Sequence, residues 1–276
     1  MGINDKASVE AQYQNSNNLN VRISIHDKYS TNKQGFGNWI TAQYEIENGM
    51  TVLELGCGTG SMWAGKNELI QRCSKLILSD FSEGMLEKTK ETLQGQEGIT
   101  YEVIDIQDIP YGSNTFDIVI ANMMLYHVPD LQKGLREVRR VLKENGKFYC
   151  ATYGENGIME YIGGLFNGDG AGTKAQSNHA FTLQNGAVSL SKVFSKVTRY
   201  DYVDSLAVTN LEDMADYIYS LTGMSALRQI PRETMLAVLK EHTANGVLNV
   251  PKEYGMFVCS NAEGSDSVHT TTQGEN

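Results

Sequence analysis

Residues 52–60 read VLELGCGTG, an apolar run that ends in glycines at 56, 58 and 60. Glycine tolerates positive φ and carries no side chain, so three of them after an apolar strand let a ligand come close to main-chain N–H groups. About twenty positions further on, Asp80 closes a second apolar run, KLILSD, where a carboxylate can accept both hydroxyls of a ribose. A helix-capping role is the other reading of Asp80, although Ser82 is also suited to capping. Asp105 follows a third run, TYEVI, with Asp108 three positions beyond it. His127 is the only histidine between Thr51 and Tyr153. Imidazole titrates near neutrality, so it can take a proton from a hydroxyl or an ammonium.

Two cofactor classes compete for such a loop, dinucleotides and S-adenosylmethionine. The dinucleotide pattern G-x-G-x-x-G/A wants a third small residue where the helix packs on the strand. Counted from Gly56 that position is Ser61, and counted from Gly58 it is Trp63, so the pattern fits imperfectly in both registers. The segment SMWAGKNELI, expected to be the helix after the loop, begins with bulky Met62 and Trp63 and holds no arginine for a phosphate. A cofactor without a pyrophosphate is easier to accommodate.

The elements that would position these residues are short. TVLEL, KLILS, TYEVI, TFDIVIA and KFYCATY are apolar enough to be strands buried on both faces of a parallel sheet. Between them, SEGMLEKTKETLQ opens on Ser82 as an N-cap and sets Met85, Leu86, Thr89 and Leu93 on one side. DLQKGLREVRRVLKENG places Leu131, Leu135, Val138 and Leu142 in a stripe, with Asn145-Gly146 expected to end the helix in a left-handed turn. This β-α-β-α series predicts an α/β fold with a doubly wound sheet whose ligands sit beyond the carboxyl ends of the strands. After Tyr153 come a helix candidate NGIMEYIGGLF, the stretch GDGAGTK and FTLQNGAVSLSKVF, read as an insertion over the sheet. TRYDYVDSL and YGMFVCS are expected as late strands, with helices in LEDMADYIYSL and RETMLAVLKEH.

At this point the blocks carry a resemblance. VLELGCGTG resembles the first motif of class I S-adenosylmethionine-dependent methyltransferases, within the small-molecule branch that includes the ubiquinone and menaquinone enzymes. LILSDFSEGML is similar to the second motif, VIDIQDIPYGSNTFDIVIANMMLYHVPD to the third and fourth, and LREVRRVLKENGKFY to the helix and fifth strand that follow. The resemblance covers roughly residues 49–153. It implies a Rossmann-like methyltransferase fold with seven strands, the last antiparallel, a helical cap and lid, and S-adenosylmethionine as cofactor with no metal.

Residue by residue, it implies that Gly56, Cys57, Gly58 and Gly60 cradle the cofactor and that Asp80 holds its ribose. Phe81 then either covers the adenine or packs in the core. Asp105, with Asp108 as its rival, takes the adenine amino group, with the Ile106 N–H at the ring. Glu54 lies near the methionine end, or is purely structural, tied to backbone amides. Asn122 to His127 face the place of methyl transfer, where His127 acts as general base, positions the substrate or simply packs. Tyr29, in the aromatic stretch IHDKYSTNKQGFGNW, is the expected contact from the cap, the other reading being that these aromatic residues pack against the sheet edge. The activity implied is N- or O-methylation of a small organic molecule by direct displacement. A non-catalytic binder of the cofactor and an NAD-dependent oxidoreductase are the rival readings.

Composition sets outer bounds. The 276 residues carry a formal net charge of -10, which disfavours nucleic acid and anionic membranes as partners. The four cysteines are scattered without a C-x-x-C pair, and the chain has neither a basic-apolar leader pattern nor an apolar run long enough to span a bilayer, so a cytoplasmic protein is expected. The expected organisation is a helical cap over 1–48, a methyltransferase domain over 49–260 with a lid insertion at about 154–196, and a flexible tail over 261–276.

Overall fold

The computed structural model describes residues 16–166, 178–221 and 226–261. Two helices, α1 (Ser16–Tyr29) and α2 (Phe36–Thr41), precede the sheet. The alternating part follows: β1 (Met50–Leu55), α3 (Asn67–Arg72), β2 (Cys73–Asp80), α4 (Glu83–Thr92), β3 (Ile99–Val103), β4 (Phe116–Ile120), α5 (Leu131–Val141) and β5 (Leu142–Tyr153). Then come α6 (Ile158–Leu165), α7 (Gly186–Leu190), β6 (Lys196–Val208), α8 (Leu211–Ser220), α9 (Arg232–Glu241) and β7 (Leu248–Ser260). The seven strands form one sheet in the order β3-β2-β1-β4-β5-β7-β6. β1 to β5 pair in parallel, and β7 runs antiparallel to both β5 and β6.

The apolar runs read from sequence are the strands, and their alternation supplies two cores. Leu53 and Leu55 face the layer of Leu135, Val138 and Val141 from α5, whereas Val52 faces the layer of Leu86, Ile70 and Trp63. β3 departs from the expectation of burial on both faces: it is the sheet edge, and Val103 is exposed. Ser82 caps α4 as expected, its Oγ accepting from the Met85 N–H, and Met85, Leu86, Thr89 and Leu93 are buried together.

Two expected helices are shorter. SMWAGKNELI is not helical at its start: Trp63 and Ala64 donate to the carbonyls of Gly60 and Ser61 in turns, Gly65 takes a φ of 72°, and only Asn67–Arg72 form a helix. The helix in DLQKGLREVRRVLKENG ends at Val141, because Leu142 already has extended backbone and pairs with Phe116 of β4. Asn145 makes no left-handed turn. Gly146 is needed for space, since a Cβ there would lie 3.0 Å from the Asp117 carbonyl oxygen.

β6 and β7 pair along their whole lengths, but β7 meets β5 only from Tyr254 to Cys259. This antiparallel pair, whose strands are joined through α8 and α9 rather than by a tight turn, therefore overhangs the sheet. Its overhang carries Leu206, Val208, Leu248 and Val250 into a third core with Ile25 of α1, Ile162 of α6, Met214 and Ile218 of α8, and Met235 and Leu239 of α9. At its base Lys252 pairs with Asp204 and donates to Ser30 Oγ, and Asp204 also accepts from the Asn32 N–H at 2.9 Å. This joins the end of α1 to the strand pair. GDGAGTK, the glycine-rich part of the expected lid, and residues 262–276 of the expected tail lie outside the described residues.

The Lys252 and Asp204 side chains are 3% and 0% exposed, so removing the cation strands a buried carboxylate. Lys252→Met should lose about 3 kcal/mol in chemical denaturation, a cost of the size expected for breaking a buried pair from one side.

Candidate cofactor site

A cleft of about 470 Å³ opens at the carboxyl ends of the parallel strands. Strand order reverses between β1 and β4, and their two connections leave toward opposite sides there. Each strand delivers lining residues where it ends: Glu54 to Thr59 after β1, Asp80 to Ser82 after β2, Ile104 to Gln107 after β3, and Asn122 to Met124 after β4. α2 closes the wall with Phe36 and Ile40. A second cleft of about 410 Å³, lined by Asp117, Lys143 and Lys147 among others, sits at the amino ends of the strands and holds none of the expected site residues.

Gly56, Gly58 and Gly60 all have positive φ, of 73°, 59° and 73°. They are kept bare for different reasons. A Cβ on Gly56 would stand 2.9 Å from Met124 Cγ, so this glycine lets the loops after β1 and β4 touch. A Cβ on Gly58 would meet nothing within 4 Å, so the space beside this lining residue is open for a ligand. Cys57 contributes through its backbone, whose N–H donates to the Ser79 carbonyl at 2.9 Å. Its thiol is buried beside Thr89, and burial pushes its titration up, which leaves it unionised.

Asp80 ties two loop ends together: Oδ2 accepts from the Gly58 N–H at 3.0 Å and Oδ1 from the Ser82 N–H at 2.9 Å. A carboxylate has about four acceptor positions, so capacity remains for ligand hydroxyls. Burial holds its titration above the usual carboxylate range despite these donors. Phe81 beside it lines the cleft and is 42% exposed, so its ring is open to a ligand there. Asp105 lines the cleft and accepts from the Gln107 N–H at 2.8 Å, and Ile106 lines it too. Its rival Asp108 is not among the lining residues.

Glu54 is 2% exposed, and its Oε2 accepts from the Trp63 indole N–H at 2.6 Å. Burial pushes its pKa up to about 7, and Asp80 nearby adds to the shift, against the Trp63 and Asn122 hydrogen bonds. Asn122 is committed to internal partners, its Nδ2 donating to Tyr44 Oη at 2.6 Å and its Oδ1 accepting from the Ala151 N–H at 3.2 Å. His127 ends a 3-10 turn (Leu125–His127) at the mouth, with its ring 4.5 Å from that of Tyr126. Burial lowers its pKa, so the ring is neutral at pH 7 and able to accept a proton.

Two of the expected residues do not line the cleft: Gly60 packs against α4, where a Cβ would stand 2.6 Å from Thr89 Cγ2, and Tyr29 stands apart altogether. The Tyr29 hydroxyl donates to Asp213 Oδ2 at 2.6 Å, joining α1 to α8. The contact from the region before the sheet falls to Phe36 and Ile40 instead. Sequence reasoning also missed the roles of Trp63 and Tyr44. Trp63 had one signal, a bulky aromatic where the dinucleotide pattern wants a small residue. Met123 holds a φ of 53°, a costly backbone for this residue type, with its N–H donating to the Ala151 carbonyl at 2.8 Å.

Residues 53–150 match the family model described as a methyltransferase domain. Over 105 residues the chain is 33% identical to the demethylmenaquinone methyltransferase of Staphylococcus aureus, covering 38% of this chain and 44% of that protein. Over 111 residues it is 35% identical to the ubiquinone/menaquinone biosynthesis C-methyltransferase UbiE of Escherichia coli, covering 39% and 44%. The match thus spans under half the length of these relatives. The crystal structure of the YcgJ protein from Bacillus subtilis superposes with a TM-score of 0.55 at 18% identity, covering 83% of this chain and 98% of that one. The two share a seven-stranded Rossmann-like fold, which in this chain has the order β3-β2-β1-β4-β5-β7-β6.

The Glu54 shift has a consequence for stability. A carboxyl whose folded pKa is raised supports folding fully below its unfolded value, 4.5, and that support is lost as pH rises through about 7. Between pH 4 and pH 8 the stability of a Glu54→Gln variant should therefore gain up to about 3 kcal/mol relative to the parent, which urea unfolding at the two pH values would show. Gly58→Val should fold yet bind no nucleoside-bearing ligand, because a β-branched residue resists a φ of 59° and fills the open space; calorimetry on the folded variant checks this.

Proposed function

We propose that this chain is a methyltransferase that uses S-adenosylmethionine to methylate a small organic molecule by direct displacement. The observation that carries the reading is the convergence of Gly58, Asp80 and Asp105 on one cleft, each from the end of a different parallel strand. The match of residues 53–150 to the methyltransferase domain supports the same reading. These groups fit the cofactor: Asp105 and Ile106 would hold the adenine edge, Phe81 would cover the ring, and Asp80 would accept the ribose hydroxyls with the loop Gly56–Gly60 beneath. Glu54 and Asn122 lie where the amino-acid end would reach. When bound, S-adenosylmethionine supplies an electrophilic methyl on a sulfonium sulfur.

The chain's work is alignment and exclusion of water. Phe36, Ile40, Met62, Met123 and Met124 give the cleft an apolar wall on the β1 and β4 side, which keeps a nucleophile dry and oriented. His127, neutral at pH 7, can accept a proton released by the nucleophile or hold the acceptor by hydrogen bonding. Nitrogen and oxygen nucleophiles are the first acceptors to test. The relative named as a ubiquinone/menaquinone biosynthesis C-methyltransferase adds carbon as a third.

The division into a cap over 1–48 and a catalytic domain over 49–260 is supported by α2, which lends Phe36 and Ile40 to the cleft wall. A lid over about 154–196 is supported by Asn178, whose Nδ2 donates to the Tyr126 carbonyl at 2.5 Å and whose carbonyl accepts from Tyr153 Oη at 2.7 Å, next to the turn that bears His127. Free thiols at Cys57, Cys73, Cys150 and Cys259 suit a reducing compartment such as the cytoplasm. Among the described residues no helix is long and apolar enough to cross a membrane.

Titration calorimetry should show micromolar binding of S-adenosylmethionine and S-adenosylhomocysteine and none of NADH. Asp80→Ala should weaken both at least about tenfold, the cost of losing charged hydrogen bonds to the ribose. Unchanged affinity in that variant would remove Asp80 from the site, and NADH binding in the parent would overturn the cofactor assignment. Turnover with amines, phenols and carboxylic acids tests the transfer itself.

A further inference from the structure

Three carboxylates line the cleft, and two already have partners under the proposed reading: Asp105 at the end of β3 and Asp80 at the end of β2. A ligand laid across these strand ends in order continues over β1 toward β4, where the third carboxylate, Glu54, meets it. The amino-acid end of S-adenosylmethionine brings an ammonium there. Glu54 cannot swing to find it. Its Oε2 is held at 2.6 Å by the indole N–H of Trp63, a side chain only 1% exposed and packed with Tyr44, Tyr149 and Ile70 in the core under the glycine loop.

The opposite flank is equally fixed. Asn122 spans from the Ala151 N–H to Tyr44 Oη, at 3.2 and 2.6 Å, and also hydrogen-bonds Glu54. The Tyr44 ring lies 6.4 Å from that of Trp63 at an interplanar angle of 29°, which closes the arrangement behind the carboxylate. Trp63 reaches this place because residues 60–65 turn instead of starting a helix. The Trp63 N–H donates to the Gly60 carbonyl at 3.0 Å, and that turn carries the indole beneath β1.

We propose that Trp63 is a positioning residue for the amino-acid end of the cofactor, its indole N–H holding the Glu54 carboxylate toward the cleft with Asn122 and Tyr44 bracing the other side. The inference rests on the reading of the cleft as an S-adenosylmethionine site. It explains why a polar network is built into a core layer that is otherwise apolar. A buried carboxylate with one strong donor on a rigid ring is pre-organised to meet a cation, and most of its reorganisation is complete before the ligand arrives.

The inference has a pH signature. The Trp63 hydrogen bond favours the ionised form of Glu54, which burial opposes. Ammonium binding needs that ionised form, so affinity should fall as pH drops below about 7 and the limb should move to higher pH when the donor is removed.

The test compares two probes on Trp63→Phe, which keeps the ring and removes the N–H. S-adenosylhomocysteine carries the amino-acid end, and 5′-methylthioadenosine lacks it. Calorimetry on the parent and the variant should show S-adenosylhomocysteine weakened about tenfold, 5′-methylthioadenosine unchanged, and the low-pH limb for S-adenosylhomocysteine shifted upward. Glu54→Gln, a second variant of unchanged shape, should discriminate between the probes in the same way and lose the limb altogether. Equal weakening of both probes, or of neither, overturns the positioning role while leaving the cofactor reading intact. A parent protein that binds neither probe overturns both.

Discussion

With β1 lying between β2 and β4 and all three running the same way, every chain exit from the centre of the sheet falls on one edge. The connections leave β1 and β4 toward opposite sides, so no loop can fill the gap between them. Everything functional in this molecule depends on that gap. The glycine loop, the acids at the ends of β2 and β3, and the turn bearing His127 are separated by up to about seventy residues of sequence, and parallel pairing is what gathers them.

The gap must be lined without collapsing, and this is achieved by committing polar groups to one another. Asp80 is held by the backbone of two loops, Asn122 by β5 and Tyr44, and Glu54 by Trp63. Burial raises the titration of both Asp80 and Glu54. Such groups weaken the folded state when ionised, which is the usual mark of a site kept ready for a charged or hydroxyl-bearing ligand rather than optimised for stability.

The remainder of the chain encloses the site from one end. The overhang of β6 and β7 would be an exposed two-stranded ribbon, marginal in water, without α1, α6, α8 and α9 packed on it. The buried Lys252–Asp204 pair anchors α1 to that ribbon, and α2 then reaches the cleft with Phe36 and Ile40. A segment preceding the sheet in sequence is thereby fixed by strands that come last.

What the sequence by itself determined is local in origin. Apolar runs of strand length, Ser82 as a helix cap, glycines at 56, 58 and 60 that take positive φ, and an acid at the end of the second run are legible because each depends on neighbours within a few residues, and the order of the blocks then implies the sheet. The contents of the gap are not local. Trp63 and Glu54 are nine positions apart and Tyr44 and Asn122 are 78 apart, and their hydrogen bonds exist because β1, the end of β4 and the turns before and after β1 are packed into one layer. For the same reason Tyr29, an aromatic in a promising stretch, is spent on joining α1 to α8, whereas Phe36 reaches the cleft. Backbone preference sets where a strand or turn can form, but which side chains meet is decided by packing across the sheet, and only the tertiary structure decides that.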